Sequence, residues 1–225
     1  MFPIIKIDER YAGVVPMVRI GVVRARVENT PTCDGLWAEL EAEAERIKQT
    51  YELLAINQRP AVAATRKVYK AFGKDPGRYR VASEALCRRV IRGLGLYRLT
   101  ALVDLINVVS MRSGYAISGL DADKLEGDTL TLGVGAAGEV YEGIGRGPLN
   151  IEGMPVWRDA KGGVATPTSD EERTKITEET KHVHISINGF GEEMPMEEAV
   201  ALTVELLEKY ANAKEIETRI IELHP

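Results

Sequence analysis

The chain predicts an α+β fold. Period-two alternation marks both ends, helical periodicity fills about 34–112, and short strands separated by glycine-rich turns follow Gly114. With 44% apolar and 28% charged residues among 225, there is enough material for a core and too much hydrophobicity for a disordered chain. No internal repeat or long linker interrupts the pattern, so a single domain over 1–225 is expected.

Ile4–Ile7 and Met17–Val27 read as opening strands around a Tyr11-Ala12-Gly13 turn, with Val18, Ile20 and Val22 on one side of the second. Asp34 reads as the N-cap of a first helix, in which Trp37, Leu40, Ala44, Ile47, Tyr51 and Leu54 recur at three-and-four spacing. Pro60 suits the first position of a second helix, and Gly73 its stop. Ser83 is expected to cap a third, with Leu86, Val90, Ile91 and Leu94 apolar and Gly95 ending it. Arg88, Arg89 and Arg92 then gather on the opposite side. A fourth helix, Thr100 to Met111, turns Leu102, Val103, Ile106 and Val109 inward, while Asp104 and Asn107 share another face suited to lining a cleft. Thr129–Val134, Glu139–Ile144, Met154–Arg158 and Lys181–Ile187 read as strands, Pro195–Tyr210 as an amphipathic helix and Glu215–Leu223 as a last strand.

A net charge of -5 argues by itself against a nucleic-acid partner, but the average hides an asymmetry. From Arg59 to Arg98 eleven basic residues stand against Asp75 and Glu84 alone, an excess of nine positive charges that leaves fourteen negative ones to the rest of the chain. Such a field draws a polyanion to one face. Arg66, Lys67, Lys70, Arg78, Arg80, Arg88, Arg89 and Arg92 are the candidate contacts. No apolar run reaches membrane-spanning length and the N-terminus lacks a signal-peptide pattern, so no membrane partner and a cytoplasmic location are expected. Cys33 and Cys87, without a CxxC pair, offer neither a disulfide framework nor a thiol zinc site.

Several motifs carry less than they first suggest. Gly133-Val134-Gly135-Ala136-Ala137-Gly138 matches G-x-G-x-x-G and follows a strand, but the next residues are strand-like rather than helical, so a β-turn is expected and no dinucleotide cofactor. His182 and His184 share a strand face but lack a third ligand nearby, so no metal is expected. Nucleophile-elbow, zincin and P-loop patterns are missing. The polar stretch Thr166 to Thr174 suits a loop that touches a ligand.

The segment Arg66–Asp121 is more specific. It reads RKVYKAFGKDPGRYRVASEALCRR, then LVDLINVVSMRSG, and closes on Asp121-Ala122-Asp123-Lys124-Leu125. Gly138-Glu139 and Thr177-x-x-Thr180 follow further along. The pattern, over roughly Val15 to Ile187, resembles the B3/B4 module of the phenylalanyl-tRNA synthetase β subunit and its free-standing relatives. The resemblance implies an α+β fold with a barrel-like mixed sheet, tRNA as partner, and editing by hydrolysis of tyrosine wrongly esterified to the phenylalanine tRNA.

Carried over residue by residue, Asn107 matches the pocket asparagine that helps place the attacking water. Ser118 stands where bacterial synthetases have a histidine. Asp170-Glu171 falls near the family's glycine pair, and Ser186 falls on the glutamate that recognises the tyrosine hydroxyl. Three of four pocket positions thus differ, and a site built to bond a substrate hydroxyl depends on such groups. An aminoacyl ester is already activated, so water held by Asn107 and Ser118 suffices for hydrolysis, with Asp104 or Asp121 orienting the network. Three functions stay open: a trans-acting deacylase of misacylated tRNA, a non-catalytic RNA- or amino-acid-binding module, and an enzyme whose arginines hold a small anionic metabolite.

Overall fold

Strand β2 (Val18–Arg26) is apolar on both faces, and both faces are covered in the computed structural model, which describes residues 2–224. Val18, Ile20 and Val22 join one core cluster, and Val23 and Ala25 the other. Gly21 admits helix α5 (Met196–Tyr210): a Cβ there would lie 2.7 Å from both Met196 Sδ and Val200 Cγ2. β2 sits inside a sheet of order β10-β2-β9-β3, with β3 Ala116–Asp121, β9 His182–Gly189 and β10 Lys214–Leu223, all pairs antiparallel.

A second sheet has the order β1-β4-β7-β8, with β1 Ile4–Ile7 parallel to β4 Thr129–Val134, and β7 (Pro155–Arg158) and β8 (Gly163–Ala165) antiparallel. Val18, Ile20, Val22 and Leu120 of the first sheet pack with Leu130, Leu132 and Trp157 of the second. The expected α+β class is observed, but the sheets do not close into a barrel. Strands of three to six residues in the second sheet are too short to wrap around and meet the edges of the first. A two-stranded hairpin, β5 (Glu142–Gly143) with β6 (Gly147–Pro148), stands apart.

Helices α1 (Asp34–Thr50), α3 (Ala82–Ile91), α4 (Ala101–Ser113) and α5 cover the outer face of the first sheet, while α2 (Pro60–Ala71) sends Val68 into the inter-sheet layer. Pro60 opens α2, and Gly73 follows its end at φ +81°, both as expected.

Other boundaries shift. Cys33, not Asp34, is the N-cap of α1, and Asp34 pairs with Arg98 instead. The buried stripe of α1 includes Leu36, and Leu54 lies beyond the helix end and is exposed. Ser83 lies inside the first turn of α3, capped by Val81. Gly93 at φ +69° follows the last turn, so Leu94 is out of the helix and exposed. The segment 139–144 is strand only at Glu142–Gly143, because Glu139 is held in a turn by the Ala136 amide and by Arg158. Strand β3 has no counterpart in the sequence pattern. Among the described residues no helix is long and apolar enough to cross a membrane.

Candidate functional site

Helix α4 is buried on most of its surface, and two polar residues one turn apart part company. The Asp104 carboxylate accepts the Thr32 hydroxyl at 2.5 Å and the Leu99 amide at 2.9 Å. Burial pushes this carboxyl above its ordinary value, against the pull of Thr32, Leu99 and the Asn107 side chain. Asp104 therefore braces the chain around Thr100, the N-cap of α4, and does not line the adjoining hollow. Asn107 is half-buried and does.

That hollow, about 380 Å³, lies between the start of α4, the edge of β3 and the Ile144 and Asp170 segments. Its walls are Leu99, Val103, Ile106, Ile117, Ile144 and Ile176; Thr100, Asn107, Asp170 and Lys175 supply the polar groups. Alternation along β3 turns Ile117 and Gly119 toward α4 and Ser118 toward the second sheet. Gly119 has to be glycine for the hollow to keep its shape, since a Cβ there would lie 2.5 Å from Ile106 Cδ1.

Asp170 sits at the hollow's floor, where its Oδ2 accepts the Gly119 amide at 3.0 Å. Burial pushes its carboxyl up to about 7, opposed by the Gly119 amide and the nearby Ser118 hydroxyl. The residue stays partly open toward the hollow. Ser118 Oγ itself is fully buried and completes no hydrogen bond.

A second hollow of about 370 Å³ adjoins the first, and Ile106, Asn107 and Ile117 line both. Its rim is basic: Arg80, Arg88, Arg89 and Arg92 of the α3 region, with Arg146 from the turn between β5 and β6. The two hollows thus form one groove with Asn107 at its middle. The hairpin flanks both halves, Ile144 on the apolar side and Arg146 on the basic side. It is pinned at Asp170, whose carbonyl accepts the Ile144 amide at 3.0 Å.

The arginines are held unevenly. Arg66, at 2.8 Å, and Arg80 and Arg88, at 3.6 and 3.9 Å, converge on buried Glu84. Arg88 also donates to the Leu53 carbonyl. Arg89 donates to the Gly95 and Leu94 carbonyls and lies over the exposed Tyr97 ring. Arg92 and Arg146 are exposed, and among the described residues their side chains form no hydrogen bond or ion pair. Of the other expected basic contacts, Lys67, Lys70 and Arg78 are exposed but outside the groove, and Arg66 is spent on Glu84 and the Pro76 carbonyl.

The remaining pocket candidates lie elsewhere. Asp121 is buried, caps a short turn by accepting the Asp123 amide, and takes the Thr180 hydroxyl at 2.9 Å and Lys124 at 3.2 Å. Thr180 also accepts the Thr177 amide, so the Thr177-x-x-Thr180 motif is part of this brace. Ser186 faces the inter-sheet layer, 3.0 Å from His184 Nε2. Burial and then the Arg24 guanidinium hold His184 down to about 3, hence neutral. His182 is exposed beside Asp123, and the described residues contain no cluster of three His, Cys, Asp or Glu that would hold a metal.

The glycine motif at 133–138 is a turn with no helix behind it. Gly135 permits close backbone approach, since a Cβ would lie 1.9 Å from the Ile151 carbonyl oxygen. Arg146 and Lys175 escaped the sequence reading because each is distant in the chain from the basic segment, and only the fold brings them to the groove.

The family model of the B3/4 domain matches residues 64–221. The chain belongs to the B3/4 domain family. The matched span runs from α2 into β10 and contains the whole groove. Among solved structures, the B3/4 fold is shared with an N-terminal fragment of the phenylalanyl-tRNA synthetase β subunit from Pyrococcus horikoshii. TM-score is 0.50 at 14% identity, covering 99% of this chain and 54% of that one. The chain thus spans about half of that fragment, and the likeness is one of fold. No curated protein sequence matches this B3/4 chain.

Proposed function

We propose that this B3/4 chain binds tRNA at the basic half of the groove and hydrolyses an aminoacyl ester at the Asn107 half, acting in trans on misacylated tRNA. One observation carries the reading: the arginine-rimmed hollow and the apolar hollow share Asn107. A terminal phosphate run on the arginines thereby leads the esterified end to a side chain that both donates and accepts. Asn107 holds water against the ester carbonyl, and the ester's own reactivity makes a strong base unnecessary.

Arg92→Glu with Arg146→Glu is the binding test, because neither side chain supports the fold. Affinity for tRNA is expected to fall more than tenfold at low salt, and the logarithmic salt slope to shrink by about 0.7 per lost single-strand phosphate contact. Unchanged affinity and slope would remove the basic face from the reading. Hydrolysis is tested on a panel of mischarged tRNAs, where Asn107→Ala is expected to slow deacylation on the order of 10²-fold, the usual loss for one positioned polar group.

A second reading, binding without hydrolysis, is favoured by the burial of Ser118 and Ser186 away from the hollow. Its signature is intact tRNA affinity with deacylation no faster than in buffer.

A further inference from the structure

The apolar hollow contains a carboxylate whose counter-charge is missing. Asp170 lines it, and among the described residues the one hydrogen bond to its carboxyl comes from the Gly119 amide, a neutral donor. Among the described residues no Lys, Arg or His forms an ion pair with it. Lys175, on the same wall, pairs with Glu172, Lys124 with Asp121 and Arg173 with Asp159, and Arg146, which has no ion pair among the described residues, lines the basic hollow and not this one. A carboxylate taken out of water needs a charged partner, and without one it is driven toward its neutral form. The hollow that Asp170 lines is open to a ligand cation.

The rest of the hollow states what that cation is attached to. Six aliphatic side chains form its walls, no aromatic ring lies among them, and Asp170 and Asn107 supply its one carboxylate and its one side-chain amide. With Asp170 taken by an ammonium and Asn107 by the ester, a phenolic hydroxyl set against these aliphatic walls would lose its hydrogen bonds to water. We propose that Asp170 is the anchor for the α-ammonium of the aminoacyl group, and that the hollow selects an aliphatic side chain over tyrosine. The inference rests on the ester-binding reading of the groove and adds its substrate class. Asp170 is a specificity-determining residue in this scheme: it holds the ammonium, while Asn107 faces the ester.

The test separates the ammonium from the tRNA. L-leucinamide, its deamino analogue 4-methylpentanamide and L-tyrosinamide are titrated into the full chain and followed by amide chemical shifts. Leucinamide is expected to bind about tenfold or more tightly than either of the other two, the scale of one charge-assisted contact. In Asp170→Asn, which keeps the shape, leucinamide and 4-methylpentanamide are expected to bind alike.

Three results overturn the proposal: no shift with leucinamide, equal binding of 4-methylpentanamide to the parent protein, or tighter binding of tyrosinamide. The last would make Asp170 a hydroxyl reader. A parallel arm compares deacylation of leucyl-tRNA with N-acetyl-leucyl-tRNA, in which acylation removes the cation. Slower hydrolysis of the acetylated form by the parent but not by Asp170→Asn supports the anchor. Equal rates on both sink the anchor while leaving the deacylase intact. Absent hydrolysis with the amide preference intact sinks the deacylase and leaves the ammonium site.

Discussion

Asp170 makes stability depend on pH in the direction opposite to most carboxylates. Its ordinary value of 3.8 rises to about 7 in the folded chain, because burial disfavours the charge. Between those values the folded state keeps a proton that the unfolded state releases, so this group's contribution to stability falls as pH rises from about 4 to about 7. Above that range the cost of a partly buried charge without an ion pair is present. Asp170→Asn removes the slope. Urea denaturation is expected to find the variant more stable than the parent near pH 8 and level with it near pH 4, and equal stability at both would mean that the carboxyl is well solvated. Asp104, also pushed up by burial, differs in being tied to Thr32 and Leu99. Asp104 and Asn107 were recognisable as candidates from residue type and helical spacing, and Asp170 only from the family resemblance; the fold alone shows that Asp104 turns to a brace and Asp170 to the hollow.

At the scale of elements, helix boundaries were readable where the local chemistry is strong, as at Pro60 with Gly73 and at the Thr100 start of α4. They slipped where polarity misleads. Ser83 has the chemistry of a cap but is buried inside α3, and Asp34 belongs to an ion pair with Arg98. Strand β3 was invisible because its inward residues include Ser118, which breaks the apolar alternation that marks a half-buried strand. The packing of α5 on β2 was equally hidden, since it rests on what Gly21 lacks. Gly21→Val is expected to cost about 1–3 kcal/mol through overpacking against Met196 and Val200, measurable as a lowered denaturation midpoint at unchanged m. A neutral outcome would show that α5 shifts outward freely.

For the whole molecule, the separation of nine positive charges from a negative remainder was plain in the sequence, and the fold sorts those charges into groups. Four of the eight expected contacts, Arg80, Arg88, Arg89 and Arg92, reach the groove. Arg146 joins them from the far hairpin. The α+β class was legible because periodicity reports secondary structure. The open, stacked sheets were not, because strand order depends on pairings that no local pattern encodes.

Glu84 gives the convergence of Arg66, Arg80 and Arg88 a second meaning. An unrestrained arginine carries about 2 kcal/mol of rotamer freedom that a polyanion would have to quench on binding. Around Glu84 part of that ordering is complete before any polyanion binds. Glu84→Gln therefore makes the face more positive yet is expected to weaken tRNA binding, with the salt slope unchanged and the loss appearing as unfavourable binding entropy. Stronger binding by the variant would mean that the carboxylate acts only as a competing charge. The buried negative residue of the basic segment, Glu84, is on these terms a source of order for the cations that surround it.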